Sequence, residues 1–563
     1  MDYQTISNDL TISGQISSDD LKQLSERGVK TLIVNRPDGE GPDQPNFEEI
    51  KRQAEKHGIA AFYLPVKAGA VTDGEGKEFG LLLNNHPLPA HAYCRTGMRS
   101  LTLWALSQSA AGVSFEDINR SAEHTGFDFS GLENRIKHSQ SSTEPVPMYD
   151  VLVVGGGAAG IAAAASLLIR ERDLKIGIIE PADVHYYQPG WTLVGAGIFT
   201  PEKTVRPMGG LIPAGAEWIK SAVAQFLPEQ NQLLLEGCRP LGYRQLIVAA
   251  GIKLDWDAIE GLPDTLGKNG VTSNYRFDLA PYTWDLVQRL KKGKAVFTQP
   301  PMPIKCAGAP QKAMYLSADH WLRHNLLKDI DVSFYNAGPV LFGIEDYVPA
   351  LMEYVQRYNI SLNFRHQLVK VNGKEQLAYF KQLGDDAAEQ LVEVPFDMLH
   401  VCPPQTAPDF IRSSPLVDEN GWVDVDKYTL QHVRYPNIWS LGDVMNAPNA
   451  KTAAAARMQA PVVAHNLIAN LKNSMEMSQY NGYGSCPLTV ERGKIILAEF
   501  GYGGKLLPSF PKWLIDGTAP SRAAWFLKER MLPEIYWSAM LKGKEWLIEP
   551  TIEDLRKIEK VHK

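Results

Sequence analysis

Apolar and polar positions change period along this chain, and the changes mark its elements. Residues 29–35 form a short apolar run ending in Arg36-Pro37-Asp38-Gly39-Glu40-Gly41-Pro42, which predicts a strand followed by a turn-rich loop. The pattern then predicts a helix over 47–57, a strand over 60–66, a short strand over 91–93 running into Cys94, and a helix over 100–111. Residues 1–137 therefore read as one small α/β unit. Residues 138–147 are polar, Ser-rich and broken by Pro145 and Pro147, as a linker is. From Met148 to about residue 470 strands and helices alternate, as a doubly wound parallel sheet requires. Residues 151–169 carry no charge and are long enough to pass for a membrane span. Three successive glycines followed by an Ala-rich stretch predict a buried strand, a turn and a helix instead.

Composition narrows the classes. The 563 residues are 44% hydrophobic and 21% charged, which is globular and excludes a disordered or fibrous chain. A length of that order predicts three or four folded units. The net charge of −7 without a long basic run argues against nucleic acid as a partner. Five cysteines (Cys94, Cys238, Cys306, Cys402 and Cys486) include no CxxC, so no zinc site, no other metal site and no secreted disulfide framework is expected. Reactive thiols in a reducing compartment fit better. The opening Met1-Asp2-Tyr3-Gln4-Thr5 shows no basic or apolar leader.

The first chemical signal is a dinucleotide site. The strand 149–154 runs directly into Gly155-Gly156-Gly157-Ala158-Ala159-Gly160, and an Ala-rich helix follows. Gly155, Gly157 and Gly160 give the spacing that lets a pyrophosphate approach a helix N-terminus, whose free N–H groups bind anions. The next strand ends at Glu180, placed to accept from a ribose hydroxyl. Further along, Tyr243-Arg244-Gln245-Leu246-Ile247-Val248-Ala249-Ala250-Gly251 resembles the return motif of two-dinucleotide flavoproteins. Asn437-Ile438-Trp439-Ser440-Leu441-Gly442-Asp443 resembles their late Gly-Asp motif, in which the aspartate accepts from the ribityl chain. Together they identify FAD as the expected cofactor.

A second nucleotide fold should bind NAD(P)H. After its first strand, 293–298, come Pro300, Pro301, Pro303 and Cys306, and after its second, 331–335, Asn336-Ala337-Gly338-Pro339. Prolines offer no N–H to a pyrophosphate, so NAD(P)H is not the expected electron donor. Pro303-Ile304-Lys305-Cys306-Ala307-Gly308-Ala309-Pro310-Gln311-Lys312 resembles the cysteine loop of mitochondrial-type sulfide:quinone oxidoreductases. His185-Tyr186-Tyr187-Gln188-Pro189-Gly190-Trp191 and Ser485-Cys486-Pro487-Leu488 resemble the same family. The resemblance, over about 148–547, implies FAD, sulfide as donor, a membrane quinone as acceptor, and sulfane sulfur passed to a small acceptor such as sulfite, glutathione or another thiol. It also places Ala158, Ala159, Glu180, Gln188 and Val223 against the flavin.

Such chemistry needs two cysteines. Cys306 is the first. The family's second follows the Gly-Asp motif, where this chain has Val444. Cys402, at the end of Leu399-His400-Val401-Cys402, is the expected substitute, with Cys238 and Cys486 read as structural or bystander thiols. In the N-terminal unit, Cys94-Arg95-Thr96-Gly97-Met98-Arg99 joins a strand to a helix. Backbone N–H groups and the helix N-terminus would stabilise the Cys94 thiolate, with Arg99 and Arg95 adding charge. With four residues between Cys94 and Arg99, the loop resembles those of rhodanese sulfurtransferases. Residues 1–115, including Asn35-Arg36-Pro37-Asp38-Gly39-Glu40, resemble a phosphatase-like family of uncharacterised function often linked to sulfur metabolism, so handling of sulfane sulfur is expected, with phosphatase chemistry or a non-catalytic anion-binding module as the alternatives.

Near the end, Trp513, Trp525, Trp537 and Trp546 mix with Leu, Met, Lys and Arg, the composition of an interfacial membrane surface. The expected architecture is a tandem Rossmann-type flavoprotein behind a small phosphatase-like α/β domain, with a C-terminal membrane-associating helical region. Its boundaries are 1–137, linker 138–147, FAD domain 148–290 and 396–480, cysteine-loop domain 291–395, and quinone and membrane region 481–563. The expected function is sulfide oxidation at the cytoplasmic face of a bacterial inner membrane. The alternatives are an NAD(P)H-dependent flavin reductase and a redox-sensing flavoprotein.

Overall fold

The computed structural model describes residues 3–41, 44–66, 71–126, 129, 131–133, 135–136, 146–236, 239–384, 391–546, 548 and 551–554, without the side chains of 18, 124 and 551–554. Most of the expected linker and Cys238 lie outside the described residues. The chain divides into two compact units, residues 1–148 with 221–242, and residues 149–220 with 243–563.

The first unit is built on β1 (Tyr3–Ser7), β2 (Leu10–Ser13), β3 (Thr31–Val34), β4 (Ala60–Tyr63) and β5 (Ala90–Tyr93), in the sheet order β1-β2-β5-β3-β4. Only the β1–β2 pair is antiparallel. Strand alternation sends Ile33, Ala90 and Ala92 into a core with Leu101, Trp104 and Phe79, and Leu32, Val34 and Tyr93 into a second core with Leu21, Leu24 and Ile50. Both faces are covered, which is why β3 and β5 are buried at every position. The central strand β5 leads to Cys94 and then to helix α1 (Met98–Ala110), beginning two residues before the predicted start.

In the second unit the apparent span resolves as strand β6 (Met148–Val154) and helix α2 (Ala158–Arg170). No helix among the described residues is long and apolar enough to cross a membrane. Strand β6 lies beside β7 (Ile176–Ile179), and β7 beside β8 (Ala216–Ile219). On its other side β6 neighbours β9 (Pro240–Val248), whose residues from Tyr243 belong to this unit, and β9 pairs in parallel with a strand at Ile438–Ser440. A second sheet is wholly parallel. Its strands are β10 (Val271–Thr272), β11 (Gly293–Gln299), β12 (Ile330–Asn336), β13 (Ser361–Phe364) and β14 (Met398–His400), in the order β10-β14-β11-β12-β13. Helix α3 (Ala309–Arg323) follows β11. Its Met314, Tyr315, Ala318 and Trp321 share a core with Phe297 and Phe334 from the sheet and with Cys486 and Leu488. Those last two residues belong to β15 (Gly484–Glu491), which forms a hairpin with β16 (Lys494–Phe500).

The aromatic-basic segment splits in two. Tyr536, Trp537 and Leu541 are buried, and so is Lys528. Trp513, Leu514, Phe526, Met531 and Trp546 remain exposed, with Trp513 at 84% and Trp546 at 70%. Part of this segment is core, and the rest is a set of large apolar side chains in solvent.

Candidate active site

Backbone sterics shape the dinucleotide end of the first sheet. Gly155 has φ +107°, and a side chain there would press on the Ala249 carbonyl at 2.5 Å. A Cβ on Gly160 would sit 1.9 Å from the Gly155 oxygen, so only glycine lets α2 start this close to the loop. Gly157 is the N-cap of α2 without a side-chain cap, and a Cβ on it would meet nothing within 4 Å. The space beside Gly157, where α2 starts, is thus open, as an anion site at a helix N-terminus requires. Glu180 closes the loop from β7: Gly156 N donates to its Oε2 at 2.8 Å and Ala182 N to its Oε1 at 2.8 Å. His185 ties the loop to the C-terminal segment. Its Nδ1 is 3.1 Å from the Gly156 carbonyl and its Nε2 2.6 Å from the Tyr536 hydroxyl. Burial lowers its pKa, so the ring is neutral, donating at Nδ1 and accepting at Nε2.

The late Gly-Asp motif meets the same helix. Gly442 has φ +81°, and a Cβ on it would lie 2.9 Å from that of Ala159. Gly442 N donates to Gln459 Oε1 at 2.8 Å. Burial raises the Asp443 carboxyl, against the charges of Lys451 and Lys305. Lys451 Nζ donates to the carbonyls of Asp443 at 2.7 Å and Met445 at 2.8 Å. Gly251, at φ +72°, follows the strand beside the glycine loop. Gly155, Gly157, Ala158, Ala159, Gly160, Glu180, Gly251 and Asp443 therefore gather at one end of one sheet. A helix N-terminus with open space beside it, an acid and a cradle that side chains would fill suit a dinucleotide such as FAD. Val223 is buried at the start of the strand Val223–Leu227.

The cysteine loop is pinned beside this end. Cys306 N donates to Lys451 O at 2.9 Å, and Lys305 pairs with Lys451 as an isolated bridge. Lys305 donates to Gln188 and lies over the rings of Trp191 and Tyr275. Tyr275 donates to the Lys305 carbonyl at 3.1 Å. Cys306 holds φ +53°, an uncommon conformation for a residue with a side chain, and strain of that kind concentrates at functional sites. Its Sγ lies 3.1 Å from Lys312 Nζ and 3.5 Å from Cys486 Sγ. The hydrogen bond from Cys486 and the Lys312 charge hold the Cys306 thiol well below its ordinary range, although burial opposes them. Burial also works against the Lys312 ammonium, yet the neighbouring sulfurs raise it. Lys528, buried nearby, is pushed down to about 7 by burial and then by Lys312. Cys402 shares a buried cluster with Tyr275, Ile304 and Ala309, against which the partly buried Cys306 packs, and burial pushes the Cys402 thiol up to about 12.

In the first unit Cys94 is buried at the end of β5, and Gly97 N donates to its Sγ at 3.2 Å. Gly97 takes φ +90°, which turns its amide back toward the sulfur. Arg99 is buried and forked onto Glu40, at 2.8 Å and 2.7 Å, with a further bond to the Val66 carbonyl at 2.6 Å. Arg36 adds a contact to the same carboxylate at 3.0 Å. Arg99, then Arg36, hold the Glu40 carboxyl below its usual range. Arg95 is exposed.

Sequence reasoning passed over Lys312, Lys528 and Glu40 and read Cys486 as a bystander. Only Lys312 left a local signal, six residues after Cys306 and on the first turn of the following helix.

The fold and site define a two-dinucleotide flavoprotein oxidoreductase with a buried thiol centre where a second phosphate loop would stand. A mouse protein named mitochondrial sulfide:quinone oxidoreductase is 40% identical over 395 residues, which are 70% of this chain and 87% of the mouse protein. The chain belongs to the sulfide:quinone oxidoreductase family, and FAD is its cofactor. The sulfide:quinone oxidoreductase structure from Aquifex aeolicus shares the fold at a TM-score of 0.60 and 19% identity, covering 73% of this chain and 97% of that one. Residues 2–111 match the family described as the phosphatase-like domain of Beta-lactamase hydrolase-like protein. The Agrobacterium fabrum protein of that name is 34% identical over 141 residues, 25% of this chain and 32% of its own length. The N-terminal phosphatase-like domain joined to a flavoprotein, expected from sequence, is what these comparisons find.

Proposed function

We propose that this chain oxidises sulfide at the Cys306 centre, delivers two electrons to a membrane quinone, and passes the oxidised sulfur to a small thiol, sulfite or similar acceptor. The observation that carries the reading is a thiolate-stabilising lysine 3.1 Å from Cys306, on a loop whose prolines suit no second pyrophosphate. FAD, when bound, supplies a two-electron acceptor that a thiolate can reduce and a quinone can reoxidise. Gly155, Gly157, Gly160, Ala158, Ala159, Glu180, Gly251 and Asp443 would hold it, with Gln188 assigned by family resemblance. Lys312 keeps Cys306 anionic, and Lys451 holds the cysteine loop against the Gly-Asp motif.

The exposed Trp513, Phe526 and Trp546 support peripheral attachment to a membrane, where the quinone resides; the cytoplasmic face of a bacterial inner membrane is our assignment. For the N-terminal unit we propose sulfane-sulfur handling at Cys94. Arg99 already has its fork filled by Glu40, which leaves less positive charge for a phosphate dianion and suits a persulfide sulfur. The test is quinone reduction on adding sulfide without nicotinamide nucleotide. It should be present in the wild type and abolished in Cys306→Ser with FAD still bound. Turnover driven by NADH alone would refute the reading.

A further inference from the structure

Two buried arginines in the first unit share one carboxylate. Arg99 forks onto Glu40 at 2.8 Å and 2.7 Å, and Arg36 Nε reaches Glu40 Oε2 at 3.0 Å. Each arginine is also held elsewhere, Arg99 by the Val66 carbonyl at 2.6 Å and Arg36 by Gln15 Oε1 at 2.8 Å. Their side chains are 7% and 10% exposed. Glu40 is the member with room to move. Its side chain is 24% exposed, on a turn where Asp38 and Gly39 face solvent and Gly39 takes φ +74°. Burial works against the Arg99 charge, while Glu40 and then Cys94 favour it, so one guanidinium serves both the carboxylate and the sulfur.

A carboxylate in a guanidinium fork takes the place that two oxygens of a phosphate, sulfate or sulfonate would take. With Glu40 in place the two arginine charges are half neutralised; with it gone both face an incoming dianion. We propose that Glu40 is a tethered counter-ion that controls oxyanion access to the Cys94 loop. A tetrahedral oxyanion reaches Arg99 and Arg36 by displacing the carboxylate, and leaves as the carboxylate returns. The proposal rests on the reading of Cys94 as a sulfane-sulfur site and names thiosulfate-type sulfonates as its donor class.

The Cys94 thiolate attacks the outer sulfur of thiosulfate, the sulfur–sulfur bond breaks, and its electron pair leaves on sulfite. Cyanide then removes the outer sulfur of the Cys94 persulfide as thiocyanate, and the bonding pair returns to Cys94 as thiolate. Sulfite is itself an oxyanion for the Arg99 fork, so the returning carboxylate speeds its release. A tethered group competes at an effective concentration on the order of millimolar, which keeps free oxyanions weakly bound.

Calorimetric titration of the full-length holoprotein with inorganic phosphate tests this. Glu40→Gln and Glu40→Ala should each bind phosphate at least about tenfold more tightly than the wild type. Adding Arg99→Met to Glu40→Gln should cancel the gain. In transfer from thiosulfate to cyanide, Glu40→Gln should lower KM for thiosulfate and lower kcat with it, a split that partial unfolding would not produce. Unchanged phosphate affinity in both Glu40 variants overturns the proposal and leaves sulfur transfer at Cys94 standing. So does a raised KM for thiosulfate in Glu40→Gln. A wild type that transfers no sulfur, with phosphate bound more tightly by both variants, strikes the sulfur reading and leaves Glu40 as the counter-ion.

Discussion

Lys312 donates to Cys306 Sγ at 3.1 Å from the first turn of the helix that the cysteine loop feeds. Loop and helix are joined in sequence, so the pair is set by local folding once Lys451 fixes the loop. A charge-assisted contact to a buried sulfur favours the anion strongly. Cys306 should therefore be alkylated by iodoacetamide at a pH where an ordinary thiol is protonated. Lys312→Met should move the midpoint of its alkylation rate upward, with about a tenfold loss at neutral pH for each unit by which the midpoint comes to exceed 7. An unchanged midpoint would mean that Lys312 does not set the thiolate.

Lys528 gives a stability signature. Its folded value is about 7 against an ordinary 10.5, so between those limits the unfolded chain holds a proton that the folded protein has released. Stability then rises with pH across that window. Lys528→Met lacks this dependence. Its melting temperature should exceed the wild type's most at and below pH 7, with the gap closing toward pH 10. A gap that does not vary with pH would show that Lys528 keeps its proton when buried.

The exposed aromatic residues should matter for the membrane and not for the thiol centre. Replacing Trp513 and Phe526 together by Glu adds charge where the side chains are 84% and 58% exposed, so folding should be unaffected. Cosedimentation with liposomes should fall at least about fivefold, and turnover of a long-chain quinone should slow. Flavin reduction by sulfide should keep its rate. Full liposome binding by the double variant would move the membrane surface elsewhere.

Cys94→Ala should abolish transfer of sulfane sulfur from thiosulfate to cyanide by the full chain and spare sulfide-dependent flavin reduction. Glu40→Ala should lower that transfer less, because it frees Arg99 without removing the sulfur. Efficient aryl phosphate hydrolysis, with no persulfide on Cys94 after incubation with thiosulfate, would favour phosphatase chemistry.

The glycine loop, Glu180, the Gly-Asp motif and the Cys306 loop were all legible because each is a local device. Turn sterics, a strand-end acid or prolines in a failed phosphate loop can be read within a dozen residues. Cys486 and Lys528 were not, for the opposite reason. Their neighbours at Cys306 stand 180 or more positions away, and only tertiary packing turns them inward. Lys528 looked like one of the polar residues of an interfacial segment, yet it is buried. Glu40 was visible as part of a turn, but its grip on Arg99, 59 residues on, was not. Strand and helix positions came within about three residues, as at predicted 47–57 against Phe47–Lys56 and predicted 60–66 against Ala60–Tyr63.

The most direct measurement is anaerobic titration of the oxidised flavin with sulfide, followed by decylubiquinone, in protein that has never met a nicotinamide nucleotide. The flavin band should bleach as sulfide is added and return in full on adding the quinone. A flavin that stays oxidised with sulfide but bleaches with NADH would contradict sulfide oxidation at Cys306.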